Sequence, residues 1–244
     1  MLITSSIFAL TAFTGPHLTT EPTGPRVIIT EIMYDPASDE RRGESEWVEI
    51  ANVGDEPIDI KDWKLDDEDT QEWAQWGPFS CTLLPGQVAV LINGDATTEK
   101  EFREAWDVLD DEGNPTLSYL VIPVKWGSLA NNASATNEIL QLLDADGEVV
   151  CEANYESGGD WPSIRSPGGP SIYLTDITVE DLNDGTLWRA SVVGRDGARN
   201  NRKTTIFNGT DIGSPGFVPG LSSPRIATDD PTPRPATGDN VIDY

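Results

Sequence analysis

The densest group of side chains that could do chemistry is a run of four carboxylates, Asp66, Asp67, Glu68 and Asp69. Hard oxygen ligands of this kind suit Ca²⁺, so the run is a candidate metal site. EF-hand spacing is absent, however, and a solvated acidic loop explains the same residues. Ca²⁺ is therefore the one cofactor that the sequence suggests.

Three glutamates near the ends of predicted strands, Glu31, Glu46 and Glu49, form a second carboxylate group. Paired carboxylates serve glycosidases and two-metal nucleases. The chain has a single histidine, His17, so triads that need histidine and histidine-ligated zinc are excluded. Solvation or cross-strand pairing explains the three glutamates better, and we expect no enzyme.

Two tryptophans, Trp73 and Trp76, lie in the polar sequence QEWAQWGP. This context favours partial exposure and makes them candidates for stacking on a sugar ring. The other tryptophans are expected in the core.

Residues 2–13 form a short apolar run, and a linker rich in Pro and Gly follows to residue 25. The run is too short to span a bilayer and resembles the apolar part of a secretory signal, without its positive start. We therefore expect a signal peptide and linker over residues 1–25, and a protein that is secreted or in the cell envelope. In an exported protein Cys81 and Cys151 would form a disulfide, whereas in a reducing compartment they would be buried thiols.

The formal net charge of −26 constrains the partners of this protein. Such an excess repels phosphate backbones, so we expect no nucleic-acid binding, and no later segment is apolar enough for direct membrane insertion. The basic residues concentrate in one stretch, which we interpret as internal charge balancing rather than a site for an anionic partner. These residues are Arg189, Arg195, Arg199, Arg202 and Lys203.

Short β-rich runs separated by turn residues predict a sandwich or barrel. The predicted strands cover residues 26–34, 46–53, 57–65, 87–92, 171–174 and 187–193. In 46–53, Val48 and Ile50 alternate with Trp47 and Glu49, which predicts one wetter face. One helix is predicted at 97–108, with Thr98 and Glu101 forming a capping box.

A hairpin is predicted within residues 137–155, because Asp146-Gly147 between two apolar runs favours a two-residue type I′ turn. The expected cross-strand pairs are Ala145 with Glu148, Leu142 with Cys151, Gln141 with Glu152 and Leu140 with Ala153.

The ordered motifs resemble the lamin-tail domain family. They include IITEIMYDP at 28–36, EWVEIAN at 46–52, LPG at 84–86, NEILQL at 137–142 and GSPG at 213–216. The resemblance covers about residues 27–220 and implies an all-β fold, an immunoglobulin-like β-sandwich with one short helical insertion. Since the rod heptads of a lamin are missing, the chain is similar to the bacterial exported branch. We assign the domain to residues 26–220 and a disordered tail to 221–244, and expect the helical stretch 97–126 only to decorate the sandwich.

These features favour a non-catalytic module that presents loops for binding or adhesion to a protein or glycan on the cell surface. The family has no common catalytic residues, so none are transferred. A calcium-stabilised carbohydrate-binding domain is one alternative, and a metal-dependent hydrolase that uses carboxylates only is the other. The sequence makes no prediction of the oligomeric state.

Overall fold

The computed structural model describes residues 24–41, 43–67, 75–125, 127–132, 139–164 and 168–222. In chain order the elements are β1 Val27–Met33, β2 Trp47–Asn52, β3 Ile58–Asp59, β4 Trp63–Asp66, β5 Gln75–Phe79, β6 Thr82–Leu83, β7 Val88–Asn93, α1 Glu99–Trp106, β8 Leu120–Val124, β9 Leu140–Leu143, β10 Val149–Ala153, β11 Ile172–Leu174, β12 Trp188–Ala190, β13 Arg199–Asn200 and β14 Ile212–Gly213.

Two β-sheets pack face to face and form the predicted β-sandwich. The six-stranded sheet has the order β12-β11-β1-β2-β7-β8, and the four-stranded sheet has the order β10-β9-β4-β5. One apolar core joins them, with Ile32 and Ile50 from the larger sheet and Leu65, Leu140 and Leu142 from the smaller. The fold is therefore an immunoglobulin-like β-sandwich with a short helix, as the sequence predicts.

The outer face of the six-stranded sheet is buried as well. Helix α1 lies against it, and Phe102 and Trp106 pack with Trp47 of β2 and with Phe207. The expectation of a wetter face on β2 is therefore wrong, because α1 and the later segments cover that face. Every residue of β2 is buried.

The helical stretch does more than decorate the sandwich. After α1 the chain returns as β8, which pairs with β7 in parallel and extends the large sheet. Helix α1 begins as predicted, since Thr98 and Glu101 form a reciprocal capping box. Within the described ranges, no helix has the length and apolar character needed to cross a membrane.

The predicted hairpin is present as β9 and β10, and three of its four expected pairs are confirmed. The expected pair of Ala145 with Glu148 is wrong, because the Asp144 N–H donates to the Glu148 carbonyl. The predicted two-residue type I′ turn is wrong. Gly147 has a positive φ of 84° but Asp146 does not, whereas a type I′ turn needs both. The Gly147 N–H instead donates to the Asp144 carbonyl, and a bulge between Val149 and Cys151 absorbs the longer turn.

Candidate functional site

A groove opens at the side of the sandwich between β1 and β10. It is lined by residues 25–28, Ile58, Trp63, 149–152 and 180–183, and its volume is about 610 Å³. We name it the β1–β10 groove. Such a volume suits a small ligand or part of a larger one, because ligand pockets usually measure about 300–1,000 Å³.

The groove exists because two strands lose their neighbours there. Strand β1 pairs with β2 from Val27 onward but with β11 only at Glu31 and Ile32, so its first half lacks a strand on the β11 side. Strand β10 is an edge strand of the four-stranded sheet. Its Val149 and Val150 are 49% and 38% exposed. The edge of β10 and its exposed apolar side chains therefore border the groove, whereas the first half of β1, at most 3% exposed, forms its buried floor.

Polar contacts fix the segment from 177 to 183 beside the groove. The Arg26 guanidinium donates to the carbonyl oxygens of Ile177, at 2.9 Å, and Val179. Asn183 accepts from the Asn154 N–H at 2.7 Å and donates to the Glu152 carboxylate at 3.0 Å. These contacts connect the segment to both β1 and β10, and so hold the wall of the groove in place.

The rim of the groove is acidic. Glu180 and Asp181 are exposed, and Glu152 is partly exposed. Arg26 is the one basic residue among the groove-lining residues, and carbonyl oxygens already engage its guanidinium. The site therefore offers apolar walls with a net negative rim.

A pair of buried glutamates lies elsewhere, on the outer face of the large sheet. Glu31 and Glu49 are direct partners across β1 and β2 and are 1% and 0% exposed. Glu31 accepts from the Ser214 N–H at 2.8 Å and from the Ser171 and Ser214 hydroxyls. Burial raises the pKa of Glu31. Burial, together with the neighbouring Glu31 carboxylate, holds the pKa of Glu49 well above its ordinary value.

Glu49 makes the same kind of contacts. It accepts from the Gly216 N–H at 2.7 Å and from the Thr30 hydroxyl at 2.7 Å. The positive charge of neighbouring Arg199 offsets part of this rise in the pKa of both glutamates. Since both carboxylates are buried and engaged by the protein's own donors, this pair has a structural role and offers no substrate access.

The third glutamate of this carboxylate group is also engaged internally. Glu46 is 2% exposed, accepts from the Leu129 N–H at 2.9 Å and accepts from the Ser128 hydroxyl at 3.1 Å. The structure thus places all three glutamates in buried contacts.

Only part of the predicted calcium-binding run of carboxylates lies within the described residues. Asp66 ends β4 and is buried, and Asp67 follows it, whereas Glu68 and Asp69 lie outside the described residues. Within the part of the chain that the structure describes, no cluster of three or more acidic, histidine or cysteine side chains could hold a metal ion. Calcium binding by the whole run stays a prediction.

Only one of the two tryptophans predicted to stack on a sugar lies within the described residues. Trp73 lies outside the described residues. The expected exposure of Trp76 is wrong, because this side chain is 5% exposed in the sandwich core, on the unpredicted strand β5. Its indole face is therefore covered by protein. Trp76 and Phe79 are three positions apart, which does not match the two-residue period of a strand, so this pattern did not reveal β5.

Cys81 and Cys151 are free thiols, so the disulfide alternative is wrong for this structure. Cys151 lies in β10, and Cys81 follows β5 by two residues; these strands are opposite edges of the four-stranded sheet. Three strand spacings amount to roughly 14 Å, well beyond the reach of a disulfide. Burial raises the pKa of Cys151 to about 12 and that of Cys81 to about 11.

Two arginines of the basic stretch, Arg199 and Arg202, contact backbone carbonyl oxygens. Arg202 donates to the carbonyl oxygens of Glu104 and Asp107 at the C-terminus of α1, at 2.8 and 2.7 Å. Arg199 donates to the Trp106 carbonyl at 2.8 Å and to the Pro215 carbonyl at 2.9 Å. These two arginines therefore stabilise the negative end of the helix dipole.

Comparisons with known proteins give one family and a distant structural likeness. The sequence matches the model of the Lamin Tail Domain family over residues 20–157, which is more than half of the chain. No curated protein sequence matches the chain. Its fold is similar to the crystal structure of a DUF4876 family protein from Bacteroides thetaiotaomicron, with a TM-score of 0.36, 11% identity, and coverage of 82% of this chain and 75% of that chain. The chain belongs to the lamin-tail domain family.

Proposed function

We propose that this chain is a non-catalytic binding module of an exported bacterial protein, and that its ligand occupies the β1–β10 groove. The observation that carries the proposal is the groove itself, a concavity of about 610 Å³ with apolar walls and an acidic rim. Sites of this size and composition are the usual places where proteins bind other molecules.

The disposition of the carboxylates supports a role without catalysis. A glycosidase or two-metal nuclease needs two carboxylates that reach a bound substrate. Glu31, Glu46 and Glu49 are each at most 2% exposed and are hydrogen-bonded within the protein. The cysteine thiols have pKa values raised by burial, which disfavours them as nucleophiles.

The groove can be tested by filling it. Val150 is 38% exposed in the groove, and Val193 is 53% exposed outside it. The labelled domain and its Val150→Trp and Val193→Trp variants would be applied to a glycan array and a peptide array. We expect at least one class of array member to bind the parent and Val193→Trp but not Val150→Trp.

Two results would contradict the proposal. One is an array on which no member distinguishes Val150→Trp from Val193→Trp. The other is turnover by the parent on a panel of fluorogenic glycosides and phosphodiesters, with loss of turnover in Glu31→Gln or Glu49→Gln. Melting curves of all variants would confirm that they are folded.

A further inference from the structure

We propose that the β1–β10 groove binds an extended peptide segment of a partner protein, in which basic side chains alternate with apolar ones. This inference rests on the proposed function and names the chemistry of its ligand. Three observations carry it: the charge of the rim, the strand edge beside the groove, and the lack of exposed aromatic rings in it.

The rim selects a cation. Glu180 and Asp181 are exposed at the edge of the groove. Glu152 accepts from Gln141 and Asn183, which are both neutral, so its charge has no basic partner in these contacts. The opposing charge of Arg26 is directed at the carbonyl oxygens of Ile177 and Val179. Complementary charge across an interface favours the correct partner and increases the rate of association.

The strand edge selects a peptide over a small amine. Among the described residues, β10 is an edge strand of the four-stranded sheet, and its Val149 and Val150 are 49% and 38% exposed. Edge strands carry backbone N–H and C=O groups that pair with the backbone of an added segment. In such a segment alternate side chains point in opposite directions. One set would contact Val150, and the other would meet the acidic rim.

The aromatic residues disfavour a glycan. Sugar-binding sites usually present an exposed aromatic face on which the ring stacks. Trp63 lines the groove but is only 7% exposed. Among the described residues, the one large aromatic side chain with substantial exposure is Phe217, at 40%, and it does not line the groove.

A synthetic probe tests this proposal directly. A fluorescein-labelled peptide with the sequence VKVKVK would be titrated with the domain and followed by fluorescence anisotropy. The block peptide VVVKKK has the same composition and charge but lacks the alternation, and VEVEVE keeps the alternation with the opposite charge. We expect VKVKVK to bind most tightly and VEVEVE to show no binding.

Matched variants distinguish binding in the groove from attraction by the net charge of the protein. The adjacent pair Glu180→Gln with Asp181→Asn removes two charges at the rim. Asp111→Asn with Glu112→Gln removes the same two residue types from an exposed loop outside the groove. We expect the rim variant to weaken binding of VKVKVK about fivefold or more, and the loop variant to change it less than twofold. Val150→Lys, which supplies a cation within the groove, should abolish binding.

The outcomes distinguish this inference from the proposed function. Equal affinity for VKVKVK and VVVKKK, or equal losses in the rim and loop variants, would show attraction by net charge alone and would overturn the peptide proposal. Absence of binding up to about 1 mM peptide would overturn it as well. If a glycan on the array were then lost in Val150→Trp but kept in Val193→Trp, the binding module would stand with a different ligand.

Discussion

Glu31 and Glu49 face each other across β1 and β2, and both accept backbone N–H groups from the GSPG segment at 213–216. Three motifs that carry the family resemblance thus meet in one buried network, although almost two hundred residues separate the first from the last. Ionisation of two neighbouring carboxylates in a buried site carries a high cost in free energy. This network should therefore make the stability of the domain depend on pH.

We predict that the pair makes the domain more stable in mild acid than in mild base. Burial raises the pKa of Glu49 well above its ordinary 4.5, and the charge of Glu31 raises it further. A raised folded-state pKa gives stability that is full below pH 4.5 and is lost as the pH rises through the folded value. Burial also raises the pKa values of Asp35 and Asp211, which adds to the same trend. Urea unfolding at about pH 5 and pH 8 would measure it.

Glu49→Gln supplies the matched test of this prediction. The glutamine oxygen can accept from Gly216, and the Thr30 hydroxyl can rotate to accept from the amide nitrogen, so the contacts survive without the charge. We expect a smaller difference between the free energies of unfolding at the two pH values. An unchanged difference in this variant would show that the glutamate pair is not its source.

Arg199 is predicted to be required for folding because it is the cation near this pair. Its guanidinium is tied to the carbonyl oxygens of Trp106 and Pro215, and its charge lowers the pKa of both glutamates. Arg199→Met should cost about 3–5 kcal/mol, whereas the exposed Arg195→Met should be nearly neutral. Adding Glu49→Gln to Arg199→Met should recover part of the loss in urea unfolding. Simple additivity of the two substitutions would argue against the coupling.

The sequence predicted those parts of the fold whose causes are local. The capping box joins Thr98 and Glu101, and the confirmed pairs between β9 and β10 join residues no more than 13 positions apart. The apolar side chains change parity between Ile60 and Trp63, which indicates a bulge or turn near Asp62, and the structure gives Asp62 a positive φ of 61°. Such signals act before tertiary contacts form.

The parts that the sequence did not predict depend on distant packing. The sequence pattern placed Trp47 and Glu49 on the more exposed side of β2. No neighbouring residue indicates that α1 and residues 207–216 cover that face. The groove was missed for the same reason, since it arises where β11 leaves β1 and β10 has no neighbour. The consecutive apolar residues Val149 and Val150, directly after the hairpin turn, were the weak sign of the groove in the sequence.

Trp47 is predicted to be a major contributor to stability. It is fully buried, with ring centroids 5.7 Å from Trp106 and 6.1 Å from Phe102. Trp47→Ala should lower the free energy of unfolding by about 3–5 kcal/mol, because it removes the contact between the large sheet and α1. Val193→Ala, at a site that is 53% exposed, is the control and should change it by less than about 0.5 kcal/mol. Similar midpoints for the two variants would contradict this packing.

Because both cysteines are free thiols, we predict that reducing agents do not change the melting temperature of the domain. Removing a native disulfide usually costs about 2–5 kcal/mol, which a melting curve readily detects. We expect identical melting temperatures with and without dithiothreitol, for protein purified without reductant. We also expect Cys81 and Cys151 to react slowly with thiol reagents until the protein unfolds, because burial raises both pKa values. A fall in melting temperature on reduction would indicate a disulfide.

Calcium is predicted to stabilise the domain modestly through the acidic run that begins at Asp66. A chain with a net charge of −26 gains stability from any bound divalent cation, because the cation relieves self-repulsion. Extracellular calcium sites commonly have dissociation constants of about 10⁻⁴–10⁻³ M, so millimolar Ca²⁺ should add only about 1–2 kcal/mol. Melting curves in EDTA, Mg²⁺ and Ca²⁺ would separate a specific site from diffuse screening, which acts through either ion. We expect a shift with Ca²⁺ that Asp67→Asn with Asp69→Asn abolishes; a shift that persists in this double variant would place the ion elsewhere.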